Sequence, residues 1–141
     1  MERDPSSVVE LVGRLFDEPC PIRAAAVEAL GELGPAASGA LPALRHCLDD
    51  DVESVRCEAA VAIWKITGDL TPAVLVGVEL LAHEDWSVRC VGAEHLGLLG
   101  PDAAQAIPAL EEALDDEVEA VRAEAEQALD RINRRQSVPR F

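Results

Sequence analysis

The feature that most constrains this chain is a step of 33 residues. Ile22-Arg23, Val55-Arg56, Val88-Arg89 and Val121-Arg122 follow one another at that interval, each leading into an Ala- and Leu-rich stretch. The stretch from Ala40 to Gly68, ALPALRHCLDDDVESVRCEAAVAIWKITG, gives the unit in full: a helix, a tight acidic turn and a longer second helix. A period of this size signals a solenoid, because one such unit cannot bury its apolar face alone and stacking supplies the core.

The punctuation agrees. Asp4-Pro5 and Ser7-x-x-Glu10 are helix-start signals, and Val8, Leu11, Val12, Leu15 and Phe16 then mark one helical face. A second helix begins near Pro21, runs to Leu33 and stops at Gly34-Pro35. The spacing predicts further helices over Ala40–Leu48, Val52–Ile66, from Thr71-Pro72, from Asp85 or Ser87 to Gly100-Pro101, over Ala103–Leu114 and over Glu117–Asn133. Pro42 and Pro108 belong in first helical turns, where the missing N–H is not needed. Short and long helices joined by short loops require antiparallel neighbours. No alternation is long enough for a strand. The expected domain is 1–133, with repeats at about 5–34, 38–68, 71–100 and 103–133 and a basic tail at 134–141.

Composition narrows the function. Apolar residues make up 49 % of the chain but aromatics only 3 %, which suits close helix-on-helix packing. A net charge of −15 repels phosphate backbones, so nucleic acid is not an expected partner. No apolar run reaches the roughly 18 residues of a spanning helix, so no membrane role is expected. The N-terminus begins with charges and shows no signal peptide. Four cysteines in such a chain are expected to be free thiols, and the expected location is cytoplasmic.

The pattern D-[D/E]-x-x-x-[V/I]-R, followed by an Ala/Leu-rich helix ending in L-G, resembles the HEAT repeat over about residues 5–133. The short bacterial type, found also in phycobilisome bilin lyases, is the most similar. The resemblance implies an all-α fold, a right-handed α-solenoid (α-α superhelix) of about four helical hairpins. It implies a polar ladder between repeats from the turn Asp and the Arg six residues on: Asp17/Arg23, Asp50/Arg56 and Asp116/Arg122. His83 stands where the Asp before Arg89 is expected, which weakens the ladder there. The resemblance also implies that the second helices line a concave side.

On a helical wheel Val52, Val55, Ala59, Ala62, Ile63 and Ile66 gather on the core side, opposite Glu53, Cys57, Val61 and Trp64. Equivalent positions are Cys20, Ala24, Glu28 and Gly31, then Trp86, Cys90, Glu94 and Gly97, then Glu119, Ala123, Gln127 and Asp130. The expected groove has a floor of small residues, two tryptophans, and an edge of Glu28, Glu53, Glu94 and Glu119. Indoles beside carboxylates favour a segment with apolar and Arg/Lys groups. The competing reading makes each indole half core, laid over a neighbouring helix.

Ala60 belongs to a face sealed by the next repeat, and its counterpart Glu126 reads as a polar cap. The tail, with Arg131, Arg134, Arg135 and Arg140, reads as a frayed basic end or as a segment that docks on an acidic groove.

Catalytic constellations are not apparent. The resemblance extends to a di-iron hydroxylase carrying His-Glu after the repeat Arg, but this chain has Ala24-Ala25, Cys57-Glu58, Cys90-Val91 and Ala123-Glu124 there. His46, His83 and His95 occupy three different repeat positions, and His95 reads as a packed core residue given room by Gly92. No metal or cofactor is expected. The leading expectation is therefore a non-catalytic scaffold or adaptor that binds a basic or apolar protein segment on an acidic, Trp-bearing groove. The alternative is an accessory subunit of a bilin-lyase-like or other tailoring enzyme, holding a substrate or chromophore.

Overall fold

The computed structural model describes residues 5–137, with the side chains of residues 7–134. Among them the chain is all-α. Its helices are α1 (Pro5–Gly13), α2 (Cys20–Leu33), α3 (Leu41–Cys47), α4 (Glu53–Thr67), α5 (Thr71–Leu81), α6 (Trp86–Leu99), α7 (Ile107–Ala113) and α8 (Glu119–Ser137). Paired in order, they form the four hairpins expected of an α-solenoid. Two compact units result, Met1–Ala73 and Val74–Phe141, with the division inside α5.

Local chemistry accounts for the breaks. At Gly34 (φ 63°) and Gly100 (φ 73°) the chain leaves α2 and α6 through a conformation that favours glycine. Pro35 and Pro101 follow at once and cannot continue the helical ladder. Each opens a 3₁₀ segment, Gly34–Ala40 or Gly100–Ala106, where separate α-helical starts at Ala40 and Ala103 were expected. Within these segments Ala37, Ala40, Ala103 and Ala106 are fully buried. Pro42 and Pro108 then fall in the first turns of α3 and α7, as their spacing predicts. Asp85 caps α6, its Oδ1 accepting the Ser87 N–H at 2.9 Å.

The first helix is shorter than its periodicity suggests. It ends at Gly13, so Leu15, although fully buried, plugs the core from the turn. With α1 starting at Pro5, Ser7 lies inside the helix, and the capping box from Ser7 to Glu10 does not define its start. The Asp4 cap and the tail beyond Ser137 lie outside the described residues.

In the first unit Leu15, Leu30, Leu44, Val55 and Ile63 form the buried centre. Gly31 sits against α4 so closely that a Cβ there would lie 3.1 Å from the Ala62 Cα. The second unit repeats this contact, with Gly97 3.0 Å from the Ala128 Cα by the same measure. Its buried centre holds Leu96, Leu110, Val121 and Ile132. Gly31 and Gly97 are thus helix-crossing residues, not the groove floor that the wheel assigned them.

Candidate functional site

Each unit carries a polar clasp and an acidic helix face. In the first unit the Arg23 guanidinium on α2 donates from Nε and Nη2 to both Asp50 carboxylate oxygens, at 3.0 and 2.9 Å. Its Nη1 donates to the Glu18 carbonyl. Asp50 Oδ1 also accepts the Val52 N–H at 2.9 Å, and the Asp50 carbonyl accepts Arg56 Nη1 at 2.6 Å. The second unit repeats the set. Arg89 grips Asp116 at 2.8 and 3.1 Å, Val118 N–H donates to Asp116 Oδ1, and Arg122 Nη1 donates to the Asp116 carbonyl.

The expected pairs Asp50/Arg56 and Asp116/Arg122 are therefore corrected. Each carboxylate is held by the arginine of the preceding hairpin, 27 residues earlier, while the arginine six residues on takes the main-chain carbonyl. Within a hairpin the turn brings that carbonyl, not the side chain, within reach. Asp17/Arg23 is corrected too: Arg23 reaches Glu18, and exposed Asp17 sits at φ 63°. Burial works to raise the Asp50 carboxyl, but the Arg23 and Val52 hydrogen bonds outweigh it and hold it below its ordinary value. Asp116 is lowered by Arg89 first and by Val118 second.

His83 fills half of this role. Its Nδ1 accepts the Asp85 N–H at 3.0 Å, as Asp50 does for Val52, and its carbonyl accepts from Arg89. It supplies the turn acceptor but no carboxylate.

On α4 Ser54 and Lys65 are exposed, and Glu53, Glu58, Val61 and Trp64 are half-buried. Cys57 is buried, and burial pushes its thiol up to about 12. Glu28 on α2 is exposed and close enough to Glu58 to matter. The Glu58 carboxyl is raised by burial first, then by the Glu28 charge, against which Lys65 acts. Lys65 in turn pairs with Glu32 of α2 at 3.0 Å.

In the second unit Trp86, at 49 % exposure, is open to solvent at the start of α6. Glu94, Glu119 and Gln127 are exposed, and Cys90 is half-buried. Burial raises the Cys90 thiol, followed by Glu124, Asp116 and Glu94, with Arg89 opposing. Glu58 and Glu124 are the residues that the wheel missed. Both follow the repeat arginine by two positions, a signal present in the sequence but read only as the absence of His-Glu.

His95 is buried, as expected, but Gly92 meets Leu80 and the α5 backbone and not the imidazole; a Cβ at Gly77 would meet the Leu96 side chain at 2.5 Å and the His95 ring at 3.1 Å. Among the described residues no group of three His, Cys, Asp or Glu side chains is placed to hold a metal, and no helix is long and apolar enough to cross a membrane.

The family model for HEAT repeats matches residues 8–78 and again 75–140. The chain belongs to the HEAT repeat family. No curated protein matches it. Among solved structures it is similar to an engineered protein, 26 % identical over 89 % of this chain and 62 % of that one, with a TM-score of 0.54. It is also similar to a designed armadillo repeat protein in complex with peptide (KR)4, at 24 % identity over 91 % of this chain and 65 % of that one, with a TM-score of 0.59. The chain thus spans less than two thirds of either structure.

Proposed function

We propose that the protein is a non-catalytic adaptor whose acidic, tryptophan-bearing helix face receives a basic or apolar segment of a protein partner. The observation that carries this reading is the acidic surface of α2 and α4, where exposed Glu28 and half-buried Glu58 stand near each other and the Glu58 carboxyl is raised by burial first and by the Glu28 charge second, with Lys65 opposing. An incoming Arg or Lys relieves that repulsion, and Val61 and Trp64 on α4 offer apolar area to the segment that carries it. Each unit is proposed to carry such a face by itself: Glu28, Glu53, Glu58, Val61 and Trp64 in the first, and Trp86, Cys90, Glu94, Glu119, Glu124 and Gln127 in the second. The peptide (KR)4 bound by the designed armadillo repeat protein has the chemistry that this face would select. Free cysteines suit a cytoplasmic setting.

The test is affinity capture followed by binding of the captured segment to wild type and to Trp64→Ala/Trp86→Ala. Weakened binding with unchanged helicity supports the assignment. Unchanged affinity removes the tryptophans from the binding face.

A further inference from the structure

Arg23 and Asp50 of the first unit return as Arg89 and Asp116 of the second, and the hollow beside each clasp returns with them. In that register Leu15, Phe16, His46, Cys47 and Asp50 become Leu81, Ala82, Glu112, Ala113 and Asp116, and each set lines a hollow that lies wholly inside its own unit. In the first unit the Phe16 ring stands edge-on to the His46 imidazole, with centroids 5.9 Å apart. Leu15 and Cys47 of the same hollow are 0 % and 1 % exposed and belong to that unit's buried core. In the second unit both rings are gone, replaced by Ala82 and Glu112. Leu81 and Ala113 are only half-buried there. With Val78 and Ala109 they line a hollow of about 290 Å3 between α5 and α7. A ring that the first unit supplies from its own chain is missing from the second.

We propose that the α5/α7 hollow receives an aromatic side chain of a partner peptide, flanked in that peptide by Arg or Lys. The ring follows from the first unit, where Phe16 lines the equivalent hollow over closed apolar positions. The space suits it: an apolar cavity of about 150 Å3 holds a benzene, and the hollow here is about 290 Å3. The flanking cation follows from the rim. Both Asp116 carboxylate oxygens already accept from Arg89. Glu112 is exposed and enters no ion pair among the described residues. Where the first unit has the His46 imidazole, the second thus offers a carboxylate that an incoming cation matches. None of these residues belongs to the acidic, tryptophan-bearing faces proposed above, so this is a separate binding surface.

The test is an NMR titration of the full chain with acetyl-Arg-Phe amide, taken to about 5 mM because one anchoring side chain binds weakly. The methyl signals of Val78, Leu81 and Ala113 should shift and saturate. Acetyl-Arg-Ala amide should bind at least about tenfold more weakly, and acetyl-Gln-Phe amide should also lose affinity. Ala82→Phe, which returns the ring of the first unit, should abolish the shifts with unchanged far-UV circular dichroism. Glu112→Gln should weaken binding of the Arg-Phe probe and leave that of the Gln-Phe probe unchanged. Glu28→Gln/Glu58→Gln should titrate like wild type, which keeps this result independent of the α2/α4 reading. The peptide comparisons need no altered protein, so they decide even where a variant fails to fold. Unmoved methyl signals at the highest concentration, equal affinity for the Phe and Ala probes, an Ala82→Phe protein that titrates like wild type, or binding lost in Glu28→Gln/Glu58→Gln overturns the proposal. Equal affinity for the Arg-Phe and Gln-Phe probes overturns the choice of a cation.

Discussion

Arg23 and Asp50 are 27 residues apart and meet through two parallel hydrogen bonds at 3.0 and 2.9 Å, one helical hairpin gripping the turn of the next. Arg89 and Asp116 reproduce the clasp in the second unit. A fork-to-fork pair fixes orientation as well as distance, so each clasp sets how two hairpins register.

Replacing Asp50 by Ala removes the Arg23 acceptor and the Val52 N–H acceptor together. The expected loss is about 1–2 kcal/mol, discounted because the pair keeps some contact with water. Urea denaturation checks it.

The same carboxyls predict the direction of acid sensitivity. Asp50 and Asp116 are held below the ordinary value of 3.8, so their contribution is present above that pH and is lost as pH falls through the lowered folded values. Stability measured from pH 6 down to about pH 2 should fall less steeply for Asp50→Asn/Asp116→Asn than for wild type.

Gly92→Ala should destabilise the second unit although alanine is the better helix former. A Cβ there would lie 2.8 Å from the Leu80 Cβ and 2.9 Å from two backbone atoms of α5, Gly77 O and Leu81 N. Relieving that overlap costs about 2–3 kcal/mol, against about 1 kcal/mol of helix propensity gained. A thermal melt that rises or stays level would contradict the close approach.

Thiol chemistry should follow burial. Burial raises Cys47 to about 11 and Cys57 to about 12, so neither is appreciably thiolate at neutral pH. Mass-resolved alkylation of the folded protein near pH 7.5 should spare both, and unfolding in urea should expose them.

How far the sequence is legible depends on the kind of contact. The 33-residue step and the Gly-Pro stops place the helices well, because period and punctuation are local properties. The Arg23–Asp50 partnership is not local. Spacing gives Asp50 and Arg56 as a pair, and only the crossing of α2 over α4 shows whose carboxylate is in reach. A wheel likewise treats a helix as having one buried side. Gly31 and Gly97 are buried because a second helix crosses a flank that the wheel leaves open, and Cys57, placed on the same flank by the wheel, is buried as well. His83 is legible in hindsight as a turn residue, since an imidazole nitrogen can accept the N–H that an aspartate oxygen accepts elsewhere.

The central claim is that the α2/α4 face recognises positive charge. The direct measurement is calorimetric titration of a (Lys-Arg)4 peptide into wild type and Glu28→Gln/Glu58→Gln, at low and at physiological salt. The account predicts binding that weakens with salt and drops roughly tenfold in the double variant, about 1.4 kcal/mol. Equal affinity of the two proteins, or binding indifferent to salt, would contradict it.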